Sequence, residues 1–154
     1  METTGFSPAG FIALAVFSLD RFTKIAALKI LDLGQSVRAI PGVLRITLVL
    51  NDGAAFGLFK GRAAFFVFIS LAVIIAIVAY IIKSRPLNRP ISIGLGLILG
   101  GALGNLADRI VLGKVVDFID FGIWPVFNIA DSCITIGAAV LVFSMLAKSS
   151  KRKA

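Results

Sequence analysis

Residues Gly113 to Ser132 read GKVVDFIDFGIWPVFNIADS and lie between two strongly hydrophobic segments. The stretch places two aspartates, Asp117 and Asp131, in largely apolar surroundings. An acid in an apolar, membrane-flanked setting is costly and marks a functional site by default. Two such acids that can meet at the mouth of a helix bundle suggest a catalytic pair, so these two are the first candidates for the chemistry.

Outward from this stretch the chain reads as an all-α polytopic membrane protein. Of its 154 residues 58% are hydrophobic, and the mean hydropathy is +1.01, well beyond an ordinary soluble domain. Apolar runs predict four transmembrane helices, at about 11–28, 63–82, 91–112 and 127–147, in a single membrane domain. The second run has no charge and is long enough to cross a hydrocarbon core. In the third, Gly96, Gly100 and Gly104 recur every four residues, a small-residue stripe on which another helix can pack closely. Between helices 1 and 2, over about 34–62, apolarity falls and Val43 to Leu48 alternates partly at period two, which predicts a small β-containing extracytoplasmic cap. Asn51-Asp52-Gly53 is a turn signal, and the small residues Ala54 and Ala55 after it permit close approach of another backbone or a substrate. Residues 113–125 are expected to be a short connection, with Trp124 as an interfacial anchor. Residues 148–154 form a basic tail.

The charge pattern orients these helices. Lys and Arg outnumber Asp and Glu by 16 to 8, but the basic clusters flank apolar runs, so topology and anionic headgroups account for them and no nucleic-acid partner is expected. The flank METTGFSPAG has no Lys or Arg, unlike the start of a cleavable signal peptide, so the first run is read as a retained helix. Four spans put both termini on one side with the basic loop Lys83 to Arg89, which makes that side cytoplasmic. Asn51, Asp117 and Asp131 then gather at the extracytoplasmic face. Arg38, Arg45, Lys60 and Arg62 lie on that face too and run against the rule.

Composition narrows the chemistry. There is no histidine and one cysteine, Cys133, which removes HExxH zinc sites, Ser–His and Cys–His pairs, internal disulfides and cysteine metal sites. Cys133 is read as a packing residue. Two carboxylates held close together share a proton. The ionised member can take a proton from water while its partner polarises a carbonyl oxygen, with no metal and no cofactor. Asp20 and Lys24 stand at i and i+4, either as a helix end emerging at the interface or as a pair bracing the bundle. Asn105, Asp108 and Arg109 can share one helix face, where Asp108 and Arg109 would neutralise each other, and Asn128 faces the same way as Asp131. The competing readings are a transporter or channel with Asp20, Lys24, Asp108, Arg109 and Asp131 along a polar path, an inactive relative, and a metal-assisted hydrolase.

Five blocks carry a resemblance: Asp20-Arg21-Phe22-Thr23-Lys24, Asn51 to Gly57 (NDGAAFG), Gly100 to Arg109 (GGALGNLADR), Val115-Val116-Asp117-Phe118 and Phe127 to Ser132 (FNIADS). Over most of its length the chain resembles signal peptidase II, the bacterial prolipoprotein signal peptidase. The resemblance implies an intramembrane aspartic endopeptidase that removes the signal peptide from diacylglyceryl-modified prolipoproteins, just before the lipidated cysteine. It implies Asp117 and Asp131 as the catalytic pair, and Asn51, Gly53, Asn105, Arg109 and Asn128 around substrate or inhibitor. Asp20, Lys24, Asp108 and Ala130 would be supporting residues. It further implies a monomer in the bacterial cytoplasmic (inner) membrane, in contact with membrane lipids, inhibited by peptide antibiotics such as globomycin, without metal or cofactor. Ala107 departs from the larger apolar residue common in the family, and the loop between the two aspartates is short, which bears on the shape of the substrate rim.

Overall fold

A computed structural model describes residues 8–53, 63–84 and 87–151. In chain order it contains α1 (Pro8–Ile30), β1 (Ser36–Ile40), β2 (Leu44–Asn51), α2 (Ala63–Lys83), α3 (Arg89–Leu112), β3 (Val115–Asp120) and α4 (Ile129–Lys151). Among the described residues, three helical segments are long and apolar enough to cross a membrane: Ala64–Lys83, Arg89–Leu112 and Ile129–Ala147. The α1 helix carries Asp20, Arg21, Lys24 and Lys29 and is not among those three. The α4 helix continues through Lys151, so the basic tail begins as helix.

The α3 helix is the centre of the bundle. In its most apolar window 61% of residues are buried, against 11% in α2 and in α4, so α3 faces protein where the other two face outward. Its glycines explain how. A Cβ at Gly100 would stand 2.6 Å from the Ala13 carbonyl oxygen of α1, and one at Gly101 would stand 2.5 Å from the Ala130 carbonyl oxygen of α4. The expected Gly96, Gly100, Gly104 stripe thus seats α1, and a second glycine pair, Gly94 and Gly101, seats α4 on another face. Small residues let backbones approach, and dispersion contacts do the rest. The ends of α3 are well defined: Asn88 caps it by accepting from the Ile91 amide at 3.1 Å, and Gly113 closes it at φ 70.

The sheet differs from the sequence reading. It is three-stranded and antiparallel in the order β1-β2-β3, and its third strand comes from the stretch expected to be a simple connection between the last two spans. The β3 strand, VVDFID, is buried along nearly its whole length, so it lacks the in–out alternation by which a half-buried strand is recognised. One face of the sheet seals onto the end of α1 through a cluster of Ala27, Leu31, Leu48, Val116 and Phe118. This places β3 beside the start of α4, with Asp117 at one and Asp131 at the other.

Candidate active site

Asp117 is presented by β3 and reached from two directions. In the β2–β3 register Val49 faces Asp117 and Asn51 faces Val115, which makes Asn51 a diagonal neighbour of Asp117. The Asn51 side-chain oxygen Oδ1 accepts from the Gly53 amide at 3.0 Å, which turns Asn51 Nδ2 to donate to Asp117 Oδ2 at 3.0 Å. Asn128 donates to Asp117 Oδ1 at 2.6 Å. Residues 54–57, the rest of that sequence block, lie outside the described residues.

Asp131 stands in the first turn of α4. Asn128 is the N-cap of that helix, its side-chain oxygen accepting from the Asp131 amide at 2.9 Å. One asparagine therefore holds one aspartate by its side chain and the other by its backbone. Asn105 of α3 donates to Asp131 Oδ1 at 2.8 Å. Both aspartates line an open cavity of about 290 Å³, together with Asn51, Gly53, Asn105 and Arg109. Trp124 belongs to the same rim.

Behind this cavity lies a buried ionic core. Lys24, with none of its surface exposed, reaches Asp20 Oδ2 at 2.9 Å, Asp108 Oδ2 at 2.9 Å and Asn105 Oδ1 at 2.8 Å. The ammonium group donates a hydrogen bond to Asn105 and meets Asp20 and Asp108 as ion pairs. Because Lys24 can only donate, it fixes the Asn105 carbonyl inward and so turns the Asn105 amide toward Asp131. Asp20 Oδ1 also accepts from the Ala130 amide at 3.0 Å, and Asp108 Oδ2 from the Val116 amide at 3.1 Å. Each buried aspartate thus anchors the backbone one residue before a cavity aspartate. Gly104 lies against the Asp20 carboxylate, in space a side chain would occupy.

Two sequence readings are resolved here. Asp20 and Lys24 form a fully buried brace instead of an emerging helix end. Asp108 is not neutralised by Arg109; its ion pairs are with Lys24 and Arg21 of α1. Arg109 makes no ion pair among the described residues and lies over the Phe66 ring, 5.0 Å from its centroid, at the cavity wall. Arg21 and Val116 stand in the sequence blocks without a role of their own, and their contacts to Asp108 span 87 and 8 positions. Among the described residues, no group of three or more His, Cys, Asp or Glu side chains is placed to hold a metal ion.

The Asp117 carboxyl is pushed up to about 7, first by burial and then by the charge of Asp131, against the pull of Asn51 and Asn128. A proton thus stays on this carboxyl at pH values where an ordinary aspartic acid has long been ionised.

Fold and site define a polytopic helical protein with a carboxylate-lined cavity where its small sheet meets its bundle. The family model described as signal peptidase (SPase) II matches residues 12–147. The chain belongs to the signal peptidase II family, and it is a protease. It is 44% identical over 142 residues to the lipoprotein signal peptidase of Pelotomaculum thermopropionicum, covering 92% of this chain and 93% of that one. It is 40% identical over 146 residues to that of Staphylococcus aureus, covering 92% and 90%. Two solved bacterial membrane enzymes share the fold. One has a TM-score of 0.88 at 38% identity, covering 93% of this chain and 90% of that one. The other has a TM-score of 0.82 at 39% identity, covering 90% and 92%.

Proposed function

We propose that this protein is an intramembrane aspartic endopeptidase that removes signal peptides from diacylglyceryl-modified prolipoproteins, cutting just before the lipidated cysteine. The observation that carries this reading is the convergence of Asp117 and Asp131 on one cavity, coupled through Asn128. In the proposed reaction the proton-bearing carboxyl of the pair hydrogen-bonds the scissile carbonyl oxygen. The ionised partner takes a proton from water as the water oxygen attacks the carbonyl carbon, and it then gives that proton to the amide nitrogen as the C–N bond breaks, which frees the cysteine amine and leaves the carboxyl group on the signal peptide. The asparagine donors keep both carboxylates aimed at the cavity throughout. A diacylated cysteine keeps its acyl chains in the bilayer, so a cavity at the membrane surface can receive the peptide without extracting the lipid.

This reading takes α1 as the fourth span. Its 23 residues extend about 34 Å at 1.5 Å per residue. Its Asp20 and Lys24 point inward and fully buried, while Phe11, Leu14, Leu19 and Phe22 are exposed, as lipid contact demands. On this proposal both termini lie in the cytoplasm of a bacterial cell, and the cavity lies near the outer face of its cytoplasmic membrane. The fold is proposed to work as one domain and as a monomer. Asn51, Gly53, Asn105, Arg109 and Asn128 bind substrate, or a peptide antibiotic such as globomycin.

The test is cleavage of a lipid-modified prolipoprotein by the purified protein in detergent, with and without EDTA. The expected products are the free signal peptide and a chain beginning at the lipidated cysteine, in equal yield under both conditions. Intact substrate, with its lipid verified, would overturn the proposal.

The pH profile follows from Asp117. Its carboxyl loses its proton as pH rises through about 7, and the pair then has none to offer the carbonyl. kcat/KM should fall about tenfold per pH unit above that point. A rate that is flat from pH 6 to 9 would rule out a required proton on Asp117.

Arg109 is proposed to donate hydrogen bonds to a substrate carbonyl from its seat on Phe66. Lysine keeps the charge but lacks the planar fork that stacks and donates in two directions. Arg109→Lys should lower kcat/KM about tenfold, a loss of about 1.4 kcal/mol of transition-state stabilisation. Wild-type kinetics in this variant would remove Arg109 from the substrate site.

A further inference from the structure

Arg38 and Arg45 contradict the charge rule that orients the helices, and the peptidase reading uses neither. They stand directly opposite each other across β1 and β2. Like charges in a cross-strand pair repel, so this pairing calls for an anion. Asp120 is next in the same row, opposite Arg45 on β3. It accepts from Arg45 Nε at 3.0 Å and Nη2 at 3.2 Å, and also from Thr47 and the Gly122 amide. Asp120 thus locks the orientation of Arg45. It has no ion pair with Arg38, and none with any other carboxylate among the described residues involves Arg38. The row keeps a net positive charge, with Arg38 exposed and half of the Arg45 side chain open.

Arg38, Arg45 and Asp120 line a concavity of about 200 Å³ whose other walls include Ile40, Val43 and Phe121. Those three are 51%, 57% and 43% exposed, an apolar fringe that a soluble anion would leave in contact with water. The sheet follows the C-terminal end of α1 and joins the end of α3 to the start of α4, so the concavity lies at the level where a bundle leaves the hydrocarbon. Two arginines beside an apolar fringe at that depth complement an amphiphile with an anionic head.

We propose that Arg38 and Arg45 form a headgroup site for an anionic phospholipid, with Ile40, Val43 and Phe121 against the first part of its acyl chains. The site is separate from the cavity of Asp117 and Asp131, and its test does not depend on cleavage.

The experiment is native mass spectrometry of the full-length protein in detergent with equal amounts of phosphatidylglycerol and phosphatidylcholine. Phosphatidylglycerol should be retained in preference. Arg38→Gln should lower that preference about fivefold, the contribution of one arginine at an anionic lipid surface, while Arg38→Lys should keep most of it. Equal retention of the two lipids by the wild type would overturn the proposal. So would a preference unchanged in Arg38→Gln, which would place the bound lipid at the basic ends of the helices. Full displacement of the lipid by 10 mM inorganic phosphate (roughly a counterion-level concentration) would make this a soluble-anion pocket and overturn it as well.

Discussion

Asp117→Asn and Asp131→Asn should each lower prolipoprotein cleavage by about a thousandfold, the scale of losing a positioned acid or base. The two variants differ in what they do to the fold, and the difference is informative. At Asp131 the side chain accepts from Asn105 at 2.8 Å. An amide oxygen can take over that bond, so Asp131→Asn should melt like the wild type. At Asp117 both carboxylate oxygens accept, one from Asn51 and one from Asn128. An amide there sets an NH2 group against one of those donors, a mismatch worth about 1–3 kcal/mol. A lower melting temperature in Asp117→Asn alone, with cleavage lost in both, is the expected pattern. Cleavage above a tenth of wild type by a folded variant of either kind would mean that other groups do the chemistry.

Lys24→Met should destabilise the protein by about 3–5 kcal/mol, because it strands two buried carboxylates without a counter-charge on that side. Asp20 and Asp108 both lie within 2.9 Å of Lys24, and none of the three side chains is exposed. The loss should also reach the cavity. Without Lys24 the Asn105 oxygen keeps only the longer bond from Asn128 Nδ2 at 3.2 Å, which weakens the hold on the amide that donates to Asp131. Lys24→Arg should not rescue, since a planar guanidinium is larger than an ammonium group and the side chain it replaces is fully buried. Adding Asp20→Asn to Lys24→Met should recover part of the stability, because the amide oxygen can still accept from the Ala130 amide. Thermal unfolding in detergent reads each variant. A melting temperature for Lys24→Met equal to wild type would show that the ionic core braces nothing.

Much of the architecture is local in origin and therefore legible in the chain. Length and apolarity delimit α2, α3 and α4, since a helix satisfies its own backbone groups and spans lipid by itself. The four-residue repeat of Gly96, Gly100 and Gly104 marks the seat of α1 because helical neighbours on one face recur at that spacing. Asp20 with Lys24, and Asn128 with Asp131, are paired by the same helical geometry. The family blocks collect Asn51, Asp117 and Asp131, which the fold brings to one cavity.

Other features depend on contacts between distant segments. The β3 strand is a strand because β2 is there to pair with it and α1 to cover it; taken alone, VVDFID is an apolar run with two acids. Asp108 has a cationic neighbour in sequence, Arg109, yet its ion pairs are to α1, and local spacing could not rank those options. Asp20 caps a helix 110 positions away through the Ala130 amide. The sequence by itself determined the helices, one close-packing face of α3 and the carboxylates available for chemistry, because those follow from periodicity and side-chain type. Only the tertiary structure decided which donor each carboxylate faces, because in a buried, low-dielectric core the partner is chosen by distance and direction across elements, and sequence spacing carries neither.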